Sequence, residues 1–369
     1  MAGERMTRIV AVLAAFLTAI GMALIAPSKS QQFGFTGANV IFQANWQLPI
    51  ISASGNQIIV PTYGGGPFPL GAQGNNGYLY VSFDINHWAQ ITAAGKRQWT
   101  YGCNSSDGSI IYIGDQPGFI YKITNLTSTG SATVAALSAF GSANWQQVSC
   151  SSDGSTIVAC VGSQGNGDVW TSRDGGATAV DQTSALTRNY LNCTISGDGT
   201  KIATSNWLGQ GANGDGGIYV STNWQSGSPT WAANLFAANG STFAQGLKYS
   251  RDGSTLYAAF NANGSTSIIY KTATDGGAWA SATPAGVHGW YWIDTSANGQ
   301  SVVASTLTNV YLSANAGGAY TNQVMPGPSN HQNGFQTISD NGQIIVNAVY
   351  YGFVNVSTNG TWRVTSATP

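Results

Sequence analysis

The sequence predicts an all-β protein: a seven-bladed β-propeller of four-stranded antiparallel blades, preceded by an N-terminal hydrophobic helix. Three observations carry this. A Gly that follows Ser, Asp or Asn and precedes an Ile/Val/Leu/Tyr-rich run recurs at Gly55, Gly108, Gly154, Gly199, Gly253, Gly299 and Gly342. Such dipeptides between apolar runs mark hairpins, because a tight two-residue turn needs positive φ at its centre. The spacings are 53, 46, 45, 54, 46 and 43 residues, and a period in the 40s with several strands per period is the mark of a radial propeller. A second turn then recurs in step with the first, so each period holds two corners.

The N-terminus comes first. Residues 1–8 carry Arg5 and Arg8, and residues 9–26 run 18 positions without a charge. That is longer than the usual signal-peptide core and just long enough to cross a bilayer. Ser28-Lys29-Ser30 offers a small-x-small cleavage site. Residues 1–30 are expected to be a signal peptide or a retained anchor with the basic flank inside, and residues 31–369 the propeller, secreted or held at a cell or virion surface.

The third repeat shows the unit. Its first strand runs from Trp145 to the turn, its second from Thr156 to Val161 and its third from Asp168 to Thr171. A Gly/Asn-rich loop separates the second and third, and a turn at Ser172–Gly176 precedes a weaker fourth strand. The third strands (GDVWTS, GGIYVS, SIIYKT, TNVYLS) alternate with period two, as half-buried strands do. The second turn reads SFDINHW (82–88), TNLTSTG (124–130), SRDGGAT (172–178), STNWQSG (221–227), TATDGGAW (272–279), SANAGGAY (313–320) and STNGTW (357–362).

These second turns resemble the Ser/Thr-x-Asp-x-Gly-x-x-Trp box of the Asp-box (BNR, sialidase-like) propeller superfamily. The match is close at Ser172/Asp174/Gly176 and Ser82/Asp84/Trp88, with Asn at 223, 315 and 359, and it covers roughly residues 40–369. The resemblance implies that the boxes sit at the corners between third and fourth strands, away from the ligand face, and that their acids are structural. A propeller gathers the loops between second and third strands, and between successive blades, on the opposite face. Length varies there at 61–76, 205–216, 261–267 and 325–334. Variable loops on a rigid scaffold are where binding usually lives. Residues 37–44 could pair with the last strand, supplied by the C-terminal TWRVTSATP, to close the ring.

A sialidase-like member would need three Arg, a Tyr–Glu pair and an acid/base Asp, and this chain departs from that set. Its only Glu is Glu4. Arg173 and Arg251 lie in turns, Arg363 follows the last box, and only Arg97 and Arg188 stand near the functional rim. A hydrolase built on Asp115, Asp168 and Asp215 is the residual enzymatic reading, since two carboxyls in different environments can divide acid and base roles. His87, His288 and His331 are single and unpaired, without metal spacing; calcium on the Asn/Asp loops is chemically sensible, but no full ligand set is visible, so neither metal nor cofactor is expected.

Aromatics are more informative. Trp46, Trp99, Trp145, Tyr190 and Trp290 each stand nine residues before a turn Gly, and Trp292 two further on. They are either packing wedges between blades or faces for a sugar. The candidate ligand contacts are Trp99, Trp145, Tyr190, Trp207, Trp290 and Trp292, with Arg97 and Arg188. Trp207 does not recur and sits in a long loop. Cys103, Cys150 and Cys193 precede repeat turns and, with Cys160, are either small buried residues or half of a bridge between neighbouring blades. Sequons occur at Asn104, Asn125, Asn192, Asn239, Asn263, Asn355 and Asn359.

Charge excludes one class of partner. Only 7% of residues are charged, against about 25% in typical chains, and the net charge is −1 without basic clusters. Nucleic acid is not expected. The reading is a non-enzymatic binding or scaffold module facing a protein or glycan surface, touching membrane only through its N-terminal segment. A lectin-like propeller is the alternative, with an Asp-dependent glycoside hydrolase behind it.

Overall fold

The computed structural model describes residues 46–62, 76–162, 167–183, 188–207, 216–226, 228–234, 242–262, 268–282, 289–323, 332–350, 353–359 and 361–364. The segment 1–30, residues 37–44, His288, His331, Asp215 and most of the four variable loops lie outside these residues. Among the described residues every regular element is a β-strand except two single 3-10 turns, Thr92–Ala94 and Ser138–Phe140.

Strands follow chain order within antiparallel groups of four. The first group is Ile50–Ile51, Ile58–Pro61, Leu79–Ser82 and Trp88–Gln90; the last is Gln332–Ile338, Ile344–Tyr350, Val354–Thr358 and Thr361–Val364. Among the described residues five sheets have four strands, and a sixth has eight because a parallel bridge, Tyr101 to Gln147, joins two groups along their first strands. Those strands, Trp99–Asn104 and Trp145–Cys150, also carry the Cys103–Cys150 disulfide, with Cα atoms 6.0 Å apart. The bridge between neighbouring repeats is therefore made by this pair, while Cys160 and Cys193 are buried thiols.

The first strands pack in succession, and Gln332–Ile338 returns to Ile50–Ile51. Apolar clusters fill the space between consecutive groups, and one of them joins Trp46, Ile58 and Tyr80 of the first group to Val346, Ala348 and Val356 of the last. A ring of backbone hydrogen bonds runs along the turns that follow the first strands. Ala53 N donates to Ser106 O at 2.9 Å, Ser106 N to Ser152 O, Ser152 N to Gly197 O and Gly197 N to Arg251 O, each at 2.7 Å. Asp252 N continues to Ala297 O and Ala297 N to Asp340 O, both at 2.9 Å, and Asp340 N closes on Ala53 O at 3.0 Å. Each bond satisfies a turn amide that the hairpin itself cannot reach. Among the described residues no sheet mixes strands from the two chain ends.

These turns differ from the expected two-residue hairpin. In the second repeat Ser105 N donates to Ile110 O and Gly108 N to Ser105 O, both at 2.9 Å, so the loop is four residues long. The glycine alone is left-handed (φ 75° at Gly108), which a two-residue turn with both centres at positive φ would not be. The side chains explain the choice. Asp107 Oδ1 accepts from Ser105 Oγ at 2.6 Å and from Ser109 N at 2.9 Å, while Ile110 N donates to Ser105 Oγ at 3.0 Å. Ser-x-Asp-Gly is thus a self-contained hydrogen-bonded corner. At Gly55 space adds to backbone preference, since a Cβ would stand 2.5 Å from Ile344 Cγ1 in the last group.

Candidate functional site

The corners between third and fourth strands lie beside the turns just described: Gly175 N donates to Ser155 O at 2.8 Å and Ala316 N to Gln300 O at 2.8 Å. Their Asp or Asn side chains hold the corner itself. Asp174 Oδ1 accepts from Ser172 Oγ at 2.8 Å and Thr178 N at 2.9 Å, and Asn315 Oδ1 does the same for Ser313 Oγ and Ala319 N. At the first corner Asp84 Oδ1 takes the amides of Asn86 and His87. Asp84 Oδ2 also meets His87 Nδ1, so His87 has a partner that its isolation in sequence concealed. Ser82 Oγ reaches Asp84 rather than His87, so no hydroxyl-to-imidazole relay forms.

The aromatics of the repeat are covered. Trp46, Trp99, Trp145 and Trp290 are at most 1% exposed, Tyr190 2% and Trp292 4%. Edge-to-face contacts hold them: Trp46 with Tyr80, Trp99 with Tyr121, Trp145 with Phe140 and Trp290 with Tyr311, at centroid distances of 5.3–5.8 Å. These faces already touch protein, and a ligand could stack there only by displacing a wedge. The two rim arginines are engaged as well. Arg97 lies 4.3 Å over Tyr121 and 3.6 Å from Asp115, and Arg188 lies 4.5 Å over Tyr219. Trp207 stands apart: half-buried, tilted against Phe243 at 4.5 Å, its amide bonded to Asn189 O.

The structure instead gathers aromatics at the axis. Tyr101, Trp292 and Phe335 come from three different groups and meet with ring centroids 4.9–5.4 Å apart. Tyr101 and Phe335 are only half-buried. All three stand seven residues before a turn Gly, two after the wedge position. In a regular strand those positions would share a face. A register shift between Trp99 and Gly102, repeated between Asn333 and Phe335, inserts one residue and re-aims the chain. Reading the sequence at the wedge offset missed Tyr101 and Phe335; aligning the repeats two residues later finds them.

Toward the turn end of the axis lies a cavity of about 80 Å³ bordered by Trp292, Asn104, Lys248, Asp294, Arg251 and Asp340, among others. Asp294 is fully hydrogen-bonded. Its Oδ1 accepts from Lys248 Nζ at 3.2 Å and Thr295 N at 2.9 Å, its Oδ2 from Thr337 Oγ1 at 2.7 Å and Ile338 N at 3.1 Å.

Of the remaining acids, Asp168 and Asp181 are neighbours. Burial raises the Asp115 carboxyl, against the pull of Arg97 and the Gln98 amide. Burial, then the neighbouring Asp181, raises Asp168. Among the described residues no cluster of three or more His, Cys, Asp or Glu has metal-binding geometry.

No family model matches the chain, and no curated protein matches it. Solved structures do. A GH74 enzyme of Niastella koreensis superposes with a TM-score of 0.64 at 16% identity, over 87% of this chain. The chain spans only 53% of that enzyme. The Cps50 (Swd1) β-propeller domain of Myceliophteria thermophila matches at 0.61 and 11% identity, covering 90% of this chain and all of that one. YCF48 bound to D1 peptide matches at 0.58 and 13%, covering 88% and 96%. At such identities the likeness is one of fold, and the fold is a β-propeller.

Proposed function

We propose that this chain is a seven-bladed propeller of the Asp-box type, working without catalysis as a binding and scaffold module for a protein partner outside a membrane. The observation that carries the reading is the meeting of Tyr101, Trp292 and Phe335 at the axis. Tyr101 and Phe335 are half-buried over the buried Trp292, and aromatics fixed on a rigid frame lose little entropy on binding and are enriched at interface centres. The frame is rigidified by the disulfide and by the ring of turn-to-turn hydrogen bonds. Structures of similar fold include a mitotic checkpoint complex, a COPII coat and a peptide complex, which favours a protein partner.

Seven turns in the hydrogen-bonded ring support the blade count, and the Ser-x-Asp corners support the Asp-box assignment. The reading without catalysis rests on how the acids are used: those of the corners are engaged by amides, Asp294 by four donors, and Asp115 by Arg97 and the Gln98 amide, which leaves Asp168, its Oδ1 buried without a partner among the described residues, as the acid a hydrolase would use. The hydrophobic run at 9–26 supports export or anchoring. A glycan partner is the second reading, resting on Trp207, the one aromatic of the predicted set that is half-buried rather than buried.

The test uses the full chain on protein-capture and glycan surfaces, with Tyr101→Ala/Phe335→Ala and Trp207→Ala variants checked for folding. Capture of a protein lost in the double variant supports the axial reading. Selective glycan binding lost in Trp207→Ala would replace it with a lectin, and release of reducing ends from a polysaccharide would overturn both.

A further inference from the structure

We infer that the axial cavity is a carboxylate-binding site. This deepens the axial reading and rests on it. The polar groups around the cavity are unequally used. Its acids are occupied: Asp294 accepts four hydrogen bonds, and both oxygens of Asp340 face Arg251 Nε at 2.9–3.0 Å. Its donors are not exhausted. The Lys248 ammonium has three N–H bonds, and Asp294 is its one acceptor among the described residues, with 40% of the side chain uncovered. Arg251 uses Nε on Asp340 and Nη1 on Ser106 Oγ, and its other terminal nitrogen makes no bond among the described residues. Asn104, 5% exposed and bordering the same space, has a side-chain Nδ2 without an acceptor among them.

A space bordered by three residues with spare donors selects an acceptor. Size and charge narrow the class. About 80 Å³ is room for a group of a few heavy atoms. The two cations and the two acids cancel, so the site offers donors rather than net positive charge; a dianionic phosphate would leave two charges uncompensated, whereas a planar monoanion leaves one and takes charge-assisted hydrogen bonds from an ammonium and a guanidinium. The carboxylate can belong to a small organic acid or to the end of a peptide that has passed the aromatic cluster.

The test is titration of the full chain with acetate, with chloride at matched ionic strength, and with a short peptide in free-acid and amidated forms. Binding is read by calorimetry and by the Lys248 side-chain NMR resonance. Expected are saturable acetate binding that moves the Lys248 resonance, affinity weakened at least tenfold in Lys248→Met, and affinity retained in Lys248→Arg. The NMR signal of the unmodified protein decides the matter if Lys248→Met fails to fold. A peptide that binds only as the free acid names a chain terminus as the source; acetate binding without peptide binding names a small acid. An equal response to chloride, an unmoved resonance, or unchanged binding in Lys248→Met would overturn the site. Loss of protein capture in the Tyr101→Ala/Phe335→Ala variant while acetate fails to bind would refute the cavity alone. Acetate binding with no protein capture would refute the scaffold reading and leave the cavity.

Discussion

Arg251 reaches from one turn to another 89 residues away to hold Asp340, its Nε 3.0 and 2.9 Å from the two carboxylate oxygens. Its Nη1 donates to Ser106 Oγ at 2.9 Å, so one side chain ties three turns of the hydrogen-bonded ring. Both partners are about three-quarters buried, which keeps solvent screening low. Arg251→Ala should cost about 2 kcal/mol, the value of hydrogen bonds to charged groups, and Arg251→Lys should recover only part because an ammonium cannot reproduce the planar fork. Urea midpoints of Arg251→Ala, Asp340→Asn and the pair test this. The two losses should be strongly non-additive, and simple additivity would show the pair to be uncoupled.

The wedge aromatics and Trp207 should separate by stability. Trp145→Ala removes a fully buried ring from between two groups and should cost about 3–5 kcal/mol. Trp207→Ala, half-buried against Phe243 alone among the described rings, should cost about 1 kcal/mol. Chemical denaturation of both variants decides it, and equal losses would place Trp207 among the wedges. A binding defect in Trp99→Ala would carry no information about ligands until its fold had been measured.

Repetition made the fold legible and made the site hard to read. The turn glycines and corner acids recur because every repeat needs the same hydrogen bonds, and Ser105/Asp107 and Ser172/Asp174 form them. The wedge tryptophans recur for the same reason, and recurrence is why they are packing. What distinguishes one repeat from the next was less visible. Tyr101, Trp292 and Phe335 share an offset, but the other repeats place Leu48, Gln147, Asn192 and Gly246 there, so no pattern stands out. Gln147 and Asn192 are themselves engaged with the next first strand: Gln147 Oε1 accepts from Cys193 N, and Asn192 Nδ2 donates to Ala244 O. The Arg251–Asp340 contact spans 89 residues, and only the closed ring brings its ends together.

Acid should weaken the fold through its corners. Asp107 is held below the usual carboxylate range by the Ser105 hydroxyl and then the Ser109 amide, and Asp153 by the equivalent Ser151 and Ser155 groups. Asp174 falls to about 2, chiefly through the Thr178 amide. A depressed carboxyl contributes stability above its unfolded value, about 3.9, and loses it as pH falls through the folded value. The transition midpoint should therefore drop between about pH 4 and pH 2. Asp153→Asn keeps the corner, as Asn298 and Asn341 do in their repeats, and should flatten that slope. Asp168 runs the other way. Burial raises its carboxyl, so Asp168→Asn should raise the midpoint at pH 7 and give no gain at pH 3. Denaturant melts from pH 7 to pH 2 measure both, and an unchanged slope in Asp153→Asn would show that the corner carboxyl does not titrate as argued.

Burial sorts the sequons. Asn104, Asn192 and Asn355 are at most 5% exposed, and Asn192 Nδ2 donates to Ser205 Oγ and to the Ala244 carbonyl, so none can present its amide to a transferase on the folded chain. Asn125 and Asn359 are exposed. Expression in a glycosylating host followed by peptide mass spectrometry should find sugar at Asn125 and Asn359 and none at the three buried positions. Occupancy at Asn192 in folded protein would contradict the packing of its strand.

The thiols give the last test. Cys103 and Cys150 link adjacent first strands across 47 residues, whereas Cys160 and Cys193 are 0% exposed. Burial, with Cys160 beside it, pushes the Cys193 thiol upward and keeps it from ionising. Alkylation of native protein should label no cysteine, alkylation after denaturation without reductant two, and alkylation after reduction all four. Cys103→Ser/Cys150→Ser should lose about 2–4 kcal/mol, because the open chain regains the freedom of a long loop. The loss should appear in the unfolding midpoint while the near-ultraviolet dichroism of the wedge tryptophans stays unchanged. Labelling of Cys103 or Cys150 before reduction would mean that these strands meet without a covalent bond, and the ring would then be held by hydrogen bonds and packing alone.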